Sequence, residues 1–292
     1  MSAASTAPEG ARFAPYALNL PALAVVGTLI VVPLAMTLLL SLHSFSTYTG
    51  VGSDFSLANY AEIFSDSYFR EIFLRTLRIS ALVTLIAAVV GAPEAYILSR
   101  MRAPWRGLFL LVMLGPLLIS VVARTLGWAL LLAPTGVLNQ GLMAAGLIST
   151  PFRLLQTETG VVIALVHVLL PFMIVAVWAS LTRLDPQVEN AAASLGAGPF
   201  TIVRRVVLPQ IMPGILSGSI IVFALAASAF ATPAIIGGRR LKVAATLAYD
   251  EFLSTMNWPL GAAIAALLLL GNIVIILGCN RIVERRYAEV FR

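Results

Sequence analysis

Cysteine, histidine and charge are all scarce in this chain. The single cysteine, Cys279, excludes an intrachain disulfide framework and a cysteine-based zinc site. The two histidines, His43 and His167, lie too far apart to offer a metal-ligand spacing. Charged residues make up 11% of the 292, against 60% that are hydrophobic, and the mean hydropathy is +0.96. No soluble core needs that much apolar surface, so the chain is an integral membrane protein. Catalytic signatures are missing too: there is no phosphate-binding loop of the P-loop type, no HExxH, no EF-hand loop and no G-x-S-x-G elbow. An enzymatic reading therefore has no positive support, and work against a gradient would have to draw its energy from a partner. The formal net charge of +6 is basic, but in a membrane protein such a balance reflects cytoplasmic loop charges and not nucleic-acid binding.

The apolar residues fall into six stretches long enough to cross a bilayer. Residues 1–15 are small, polar and proline-containing and read as a cytoplasmic tail. The first span covers 16–42, too long for a signal-peptide core and without a small-x-small cleavage site after it. A polar and aromatic outer loop follows over 43–78, with an amphipathic interfacial helix around 60–73. The second span is 79–98, and a short basic turn holding Arg100, Arg102 and Arg106 comes next. The third span is 107–132. A loop rich in Pro, Gly and Thr covers 133–159, with a short amphipathic helix over 137–147. The fourth span is 160–181, the fifth 214–236 and the sixth 260–279, all within a transmembrane domain of residues 16–281. A basic tail, 282–292, ends the chain.

Six spans put both termini on one side. That side carries Arg12, Arg100, Arg102, Arg106, Arg183, Arg204, Arg205, Arg281, Arg285, Arg286 and Arg292, whereas the other holds Arg70, Arg75, Arg78, Arg153, Arg239, Arg240 and Lys242. The densest clusters are in the short turn after span two and in the C-terminal tail, so the positive-inside rule places the termini in the cytoplasm. The expected fold is an all-α polytopic membrane protein with six transmembrane helices.

Between spans four and five lies a polar island at 185–213, DPQVENAAASLGAGPFTIVRRVVLPQIMP. Asp185 supplies a side-chain acceptor at a helix start, and Pro186 occupies the first helical position, where no N–H is needed. Gly196 stops this helix. Gly198 and Pro199 start a second one in the same way, which the pattern ends at Leu208, before Pro209. On the first helix Val188, Ala191, Ala192 and Leu195 share one shallow apolar face, flanked by a polar stripe of Gln187, Asn190 and Ser194. That arrangement suits a helix lying in another protein's groove. Two ordinary surface helices of a cytoplasmic loop would have the same composition.

The island resembles the cytoplasmic loop of bacterial ABC importer permeases, E-A-A, three residues, Gly, nine residues, I-x-L-P. Aligned on Gly196, the chain presents Asn190, Ala191, Ala192, Gly196, Val206, Leu208 and Pro209 at those spacings. The resemblance extends to RTLGWALLLAPTGVLNQ at 124–140, LPFMI at 170–174, MPGILSGSIIVF at 212–223, TPAIIGG at 232–238 and YDEF with NWPLGAA at 249–263, which are similar to the spermidine/putrescine-type branch. That branch includes opine and phosphonate importers. It implies a type I ABC importer permease fold. It also implies a second permease subunit, two cytosolic ATPase subunits docked on the 183–213 loop, and an extracytoplasmic binding protein that delivers the solute. ATP and Mg would be bound by the ATPase, with no cofactor on this chain.

One position departs from the family pattern. The family glutamate, which is thought to pair with a basic residue of the ATPase, is Asn190 here, and Glu189 sits one residue earlier, about 100° around a helix. Either Glu189 reaches the ATPase from another angle or Asn190 makes a neutral hydrogen bond.

Two charges fall inside spans, Arg124 and Glu94. A central membrane charge costs roughly 2.5–3.5 kcal/mol on insertion scales, so Arg124 should face a cavity or a partner helix, or snorkel outward if span three starts deeper; the RT-x-x-W pattern shared with the resembling branch implies a structural or gate role over direct solute binding. Glu94 lines the cavity or reaches toward Arg100 and Arg102. Span five carries Ser217, Ser219, Ser228 and Thr232. Small residues of this kind serve helix packing, while the resemblance puts Ser228 and Thr232 near the pathway. Polyamine-type relatives often carry an acid where Ala229 stands, which leaves room for an opine, phosphonate or amino-acid-like solute. A secondary transporter or channel is the reading from another class. It would be expected to show paired repeats or broken helices with ion ligands.

Overall fold

The structure is a computed structural model that describes residues 10–287. Helix α1 (Gly10–Leu40) leads into an antiparallel hairpin of β1 (His43–Ser46) and β2 (Gly50–Phe55), then α2 (Ala58–Ser65) and the 34-residue α3 (Ser67–Arg100). Helix α4 (Ala103–Leu114), a 3-10 turn (Gly115–Leu118), α5 (Val121–Leu132) and α6 (Val137–Ala144) precede α7 (Glu158–Leu181). The polar island holds α8 (Pro186–Ser194), α9 (Pro199–Ile202) and a π turn (Val203–Val207), and is followed by α10 (Leu208–Ala227). A second π turn (Pro233–Gly237), α11 (Ala244–Leu253) and α12 (Trp258–Tyr287) complete the chain.

Six helical stretches are long and apolar enough to cross a membrane: Asn19–Leu40, Ser67–Arg100, Val121–Ala144, Glu158–Leu181, Pro199–Ala227 and Trp258–Arg281. Three of them, α3, α7 and α10, make the most extensive mutual contacts and form the main core. Val83, Ala87, Val161, Met173, Val177 and Val222 are fully buried there. Close approach of α7 and α10 depends on glycine. A Cβ at Gly214 would sit 2.3 Å from Ser180 Oγ and 2.9 Å from the Ala176 carbonyl, and one at Gly218 would sit 2.7 Å from Met173 Sδ. Small residues let helix backbones meet where lipid supplies no hydrophobic drive for association. A second cluster joins α2, the start of α3, α11 and α12 through Ile63, Phe69, Ile72, Leu247 and Ile264. The Asn19–Leu40 part of α1 is strongly apolar and largely exposed, and its main contact is with α12, as suits a lipid-facing helix.

Several boundaries differ from the sequence expectation. Residues 10–15, expected in the N-terminal tail, are helical, and so are 282–287 of the expected C-terminal tail; 1–9 and 288–292 lie outside the described residues. The outer loop contains the β hairpin, which the composition did not indicate. The interfacial helix of 60–73 is cut at Asp66, whose side chain accepts from the Tyr68 N–H (2.8 Å) and starts α3 there, twelve residues before the expected span.

The third span is broken. Pro116 has no N–H to donate and its ring opposes the carbonyl four residues back, so α4 gives way to a 3-10 turn and to extended backbone at Ile119 before α5 begins. The fifth span is displaced toward the N-terminus. It runs unbroken from Pro199 to Ala227 and ends where Ser228 turns its hydroxyl onto the Ala224 carbonyl (2.7 Å). Pro233 then starts a separate π turn, since it cannot donate within a continuing helix.

Candidate coupling loop and pathway residues

The loop between α7 and α10 is built from caps. The Gln187 N–H donates to Asp185 Oδ1 (2.9 Å), which satisfies an orphan donor at the start of α8. At its end the Ala197 N–H donates to the Ala192 carbonyl (3.1 Å) and the Gly196 N–H to the Ala193 carbonyl (2.9 Å), the paired bonds of a Schellman stop. Gly196 carries φ +84°, a left-handed conformation that a side chain disfavours. Gly198 caps α9 and Pro199 occupies its first turn. The helix does not end at Leu208. The π turn at Val203–Val207 lets the Leu208 N–H reach back to the Val203 carbonyl, and this wider register accommodates Pro209 without breaking the chain into two helices.

Among its polar residues the loop also presents apolar ones. Val188 is 42% exposed and Leu195 89%. Ala191 is exposed and Ala192 half-buried, and α8 contributes no buried residue to either core. Asn190, Pro209 and Gly196 are exposed, Leu208 is 37% exposed, and Val206 is half-buried. Phe200, 77% exposed, joins this surface. Sequence reasoning passed over it, although an aromatic one residue into a capped polar helix is itself a signal of an unpartnered contact.

Glu189 behaves differently from its neighbour. Its side chain is only 12% exposed and pairs with Arg100, at the end of α3. Its second carboxylate oxygen lies 3.4 Å from the Tyr96 hydroxyl, which donates to it. The Arg100 guanidinium stands 5.3 Å from the centroid of the Tyr96 ring, within cation–π range. Arg100 is therefore engaged by Glu189, and the expected reach of Glu94 toward it is not seen. Glu94 is half-buried behind Pro93, without an ion-pair partner among the described residues.

The intramembrane residues separate into two groups. Thr232 is buried and shares a hydrogen bond with Thr125 (3.1 Å), tying the second π turn to α5. Ser228 is exposed at the end of α10 with its hydroxyl on its own helix. Ser219 likewise bonds the Ile215 carbonyl (2.7 Å). Arg124, in the first turn of α5, has its Nε and one terminal nitrogen buried without a hydrogen-bond partner among the described residues. One turn along, the Trp128 indole N–H donates to His167 Nδ1 (3.0 Å), with the rings edge to face. Sequence reasoning gave His167 no role, because its partner is on another helix. A cleft of about 460 Å³ also opens between α7 and α10, lined by Ala176, Ser180, Arg183, Gln210, Gly214 and Ser217. Among the described residues there is no group of three His, Cys, Asp or Glu side chains that could hold a metal.

At the opposite end of α7 from the loop, Glu158 pairs with Arg78, which approaches closely, and with Arg75 at 3.5 Å. Lys242 pairs with Asp250 at 2.8 Å. Burial lowers the Lys242 pKa, but its hydrogen bond to Asp250 and the proximity of Tyr68 outweigh this and raise it overall.

Residues 88–289 match the family model described as binding-protein-dependent transport system inner membrane component. The chain is 33% identical over 225 residues to the spermidine/putrescine transport system permease protein PotB of Haemophilus influenzae, covering 75% of this chain and 78% of the relative. It is 31% identical over 234 residues to the inner membrane ABC transporter permease protein YdcU of Escherichia coli, covering 76% and 74%. Among solved structures, a chain of a bacterial ABC transporter that imports the acidic polysaccharide alginate superposes with a TM-score of 0.77 at 19% identity, covering 94% of this chain and 96% of that one. A chain of the inward-facing MetNI methionine ABC transporter gives 0.55 at 16%, covering 75% and 98%. The broken third span consequently does not favour a secondary transporter. With the match spanning more than half of its length, the chain belongs to the family of binding-protein-dependent transport system inner membrane components.

Proposed function

We propose that the chain is one permease half of an ABC importer for a polyamine such as spermidine or putrescine. It works with a second, different permease subunit, two cytosolic ATPase subunits that bind ATP and Mg, and an extracytoplasmic binding protein. The observation that carries this reading is the 31–33% identity to spermidine/putrescine permeases over some three quarters of the chain. The exposed apolar surface of Val188, Leu195, Phe200 and Leu208 fits a docking element for the ATPase, with Asn190 facing outward beside it. On this reading the termini and the 183–213 loop are cytoplasmic, which the arginine distribution supports. ATP-driven closure of the ATPase pair would move α8 and α9, and through them the α3–α7–α10 core. The cleft beside Arg183 and Gln210 would then belong to the cytoplasmic exit of the pathway.

A second solute class has specific support. Arg124 keeps two guanidinium nitrogens without a hydrogen-bond partner among the described residues, and Ala229 stands where polyamine-type relatives often carry an acid. Both features suit an anionic or zwitterionic solute such as an opine, a phosphonate or an amino-acid derivative. The test is uptake into proteoliposomes holding the permease pair, its ATPase and its binding protein, with radiolabelled spermidine, putrescine, a phosphonate and an opine run side by side. ATP-dependent uptake of spermidine or putrescine supports the first reading, and uptake of only the anionic solutes replaces it with the second. Uptake that persists without ATP or ATPase would overturn both in favour of a secondary transporter.

A further inference from the structure

Helix α8 is the least anchored element of the loop. Among the described residues it contributes none to either hydrophobic core, and its main backbone neighbours are α9 and the π turn. Its tie to the body of the protein is polar: the Glu189 carboxylate holds Arg100 and accepts from Tyr96, one turn apart on the last two turns of α3. The tie is sheltered on the α8 side, where Glu189 is 12% exposed, and open on the other, where Arg100 is 44% exposed. Tyr96 stiffens it from below by packing on the main core and by standing under the guanidinium. The residues two and five positions before Arg100, Leu98 and Ala95, are fully buried in that core. The ion pair thus links α8 to α3 directly, apart from the capped turns at either end of α8.

We infer that Glu189 is an intrachain latch that fastens the docking helix to the end of α3 and transmits ATPase movement to the core. Asn190, on the outward side of α8, is left to face the ATPase. This rests on the permease reading above. Glu189 acts here as a positioning residue: it touches neither solute nor nucleotide.

Two measurements test the latch. The first uses the permease alone in membranes: Arg100→Cys and Glu189→Cys are combined in a Cys279→Ala background and treated with a short bifunctional thiol reagent. Efficient cross-linking is expected, and its absence in folded protein overturns the latch whatever the chain transports. The second uses the reconstituted importer and reads solute transported per ATP hydrolysed. Arg100→Glu is expected to lower that ratio about fivefold, the factor equivalent to about 1 kcal/mol for a tie of this exposure, while the ATPase still co-purifies. Glu189→Arg should lower it similarly, and the exchanged pair Glu189→Arg with Arg100→Glu should restore it to within about twofold, because 1.4 kcal/mol is a full decade and the tie is re-formed. A ratio that does not recover in the exchanged pair, with ATPase retention lost whenever Glu189 is changed, would mean that Glu189 contacts the ATPase directly. If the unaltered chain retains no ATPase at all, the permease reading has failed, and the cross-link still reports the latch.

Discussion

Gly196 separates the cost of a backbone conformation from the cost of filling an interface. Its φ of +84° means that any side chain there meets left-handed strain, roughly 1–2 kcal/mol for an L-residue. Nothing lies within 4 Å of the place its Cβ would occupy, so in the isolated permease Ala and Trp share the same backbone strain and neither meets a clash at its first side-chain carbon. The two substitutions should therefore lower the thermal stability of the purified permease by similar small amounts. In the importer they diverge. If the Val188, Leu195 and Phe200 surface sits in an ATPase groove, the Trp indole must be accommodated in a packed interface, where overpacking costs a further ~1–3 kcal/mol. Asn190→Ala removes at most one hydrogen bond, about 0.5–1.5 kcal/mol net. The expected order of lost ATP-driven uptake is Gly196→Trp well above Gly196→Ala, with Asn190→Ala mildest. Uptake in proteoliposomes, normalised to permease inserted, reads this directly. Equal losses for Trp and Ala would show that the turn, and not an interface, sets the effect. A loss from Asn190→Ala as large as that from Gly196→Trp would refute the reasoning altogether.

Three other outcomes follow from the packing and the charges. Gly214→Val should destabilise the permease by about 1–3 kcal/mol in a detergent melt, since its first side-chain carbon already overlaps Ser180 and the Ala176 carbonyl; an unchanged melting point would mean that α7 and α10 are not in contact as described. Lys242→Met should abolish a stabilisation that is flat across neutral pH. The lysine's pKa is raised in the folded protein, so its contribution is fully present below the unfolded value near 10.4 and is lost only as pH climbs through the higher folded value. A difference from the unaltered protein that already fades between pH 6 and 9 would contradict this sign. Arg124→Met should leave the melting point of the isolated permease unchanged or higher, because the buried nitrogens forfeit no protein hydrogen bond, while lowering transport in the assembled importer; a melting point lowered by several degrees would reveal a partner within the chain.

The legible parts of the fold were those specified by local chemistry. Asp185 with Pro186, Gly196, and Gly198 with Pro199 each carry their own instruction for starting or stopping a helix, and α8 and α9 begin where these residues say. The spans were legible as apolar runs, but their interruptions were not. Pro116 broke a run that looked continuous, whereas Pro209 and Pro213 did not break theirs, because the π turn ahead of Pro209 absorbs the missing donor. A proline's effect on a membrane helix depends on which carbonyls have other partners, and composition does not carry that information.

The same limit governs the site, and position 189 shows it most clearly. Read in sequence, a glutamate one residue ahead of the family's glutamate position is a near miss that could still reach the same partner. One residue is about 100° of helix rotation, and that rotation carries the side chain from the outward face, where Asn190 stands exposed, to the face that meets Arg100 and Tyr96. Those two residues lie some ninety positions earlier in the chain, on a helix whose end is brought under α8 only by the packing of α3 against α7 and α10. No local pattern at 185–213 could announce them. The spacing that identifies the loop and the rotation that assigns its acid are separate facts: the first is written in Gly196 and Pro209, and the second exists only once the core has formed. If α8 docks on the ATPase, a loop of this type can therefore keep its docking register while its glutamate pairs inside its own chain, with an exposed asparagine left at the family's glutamate position.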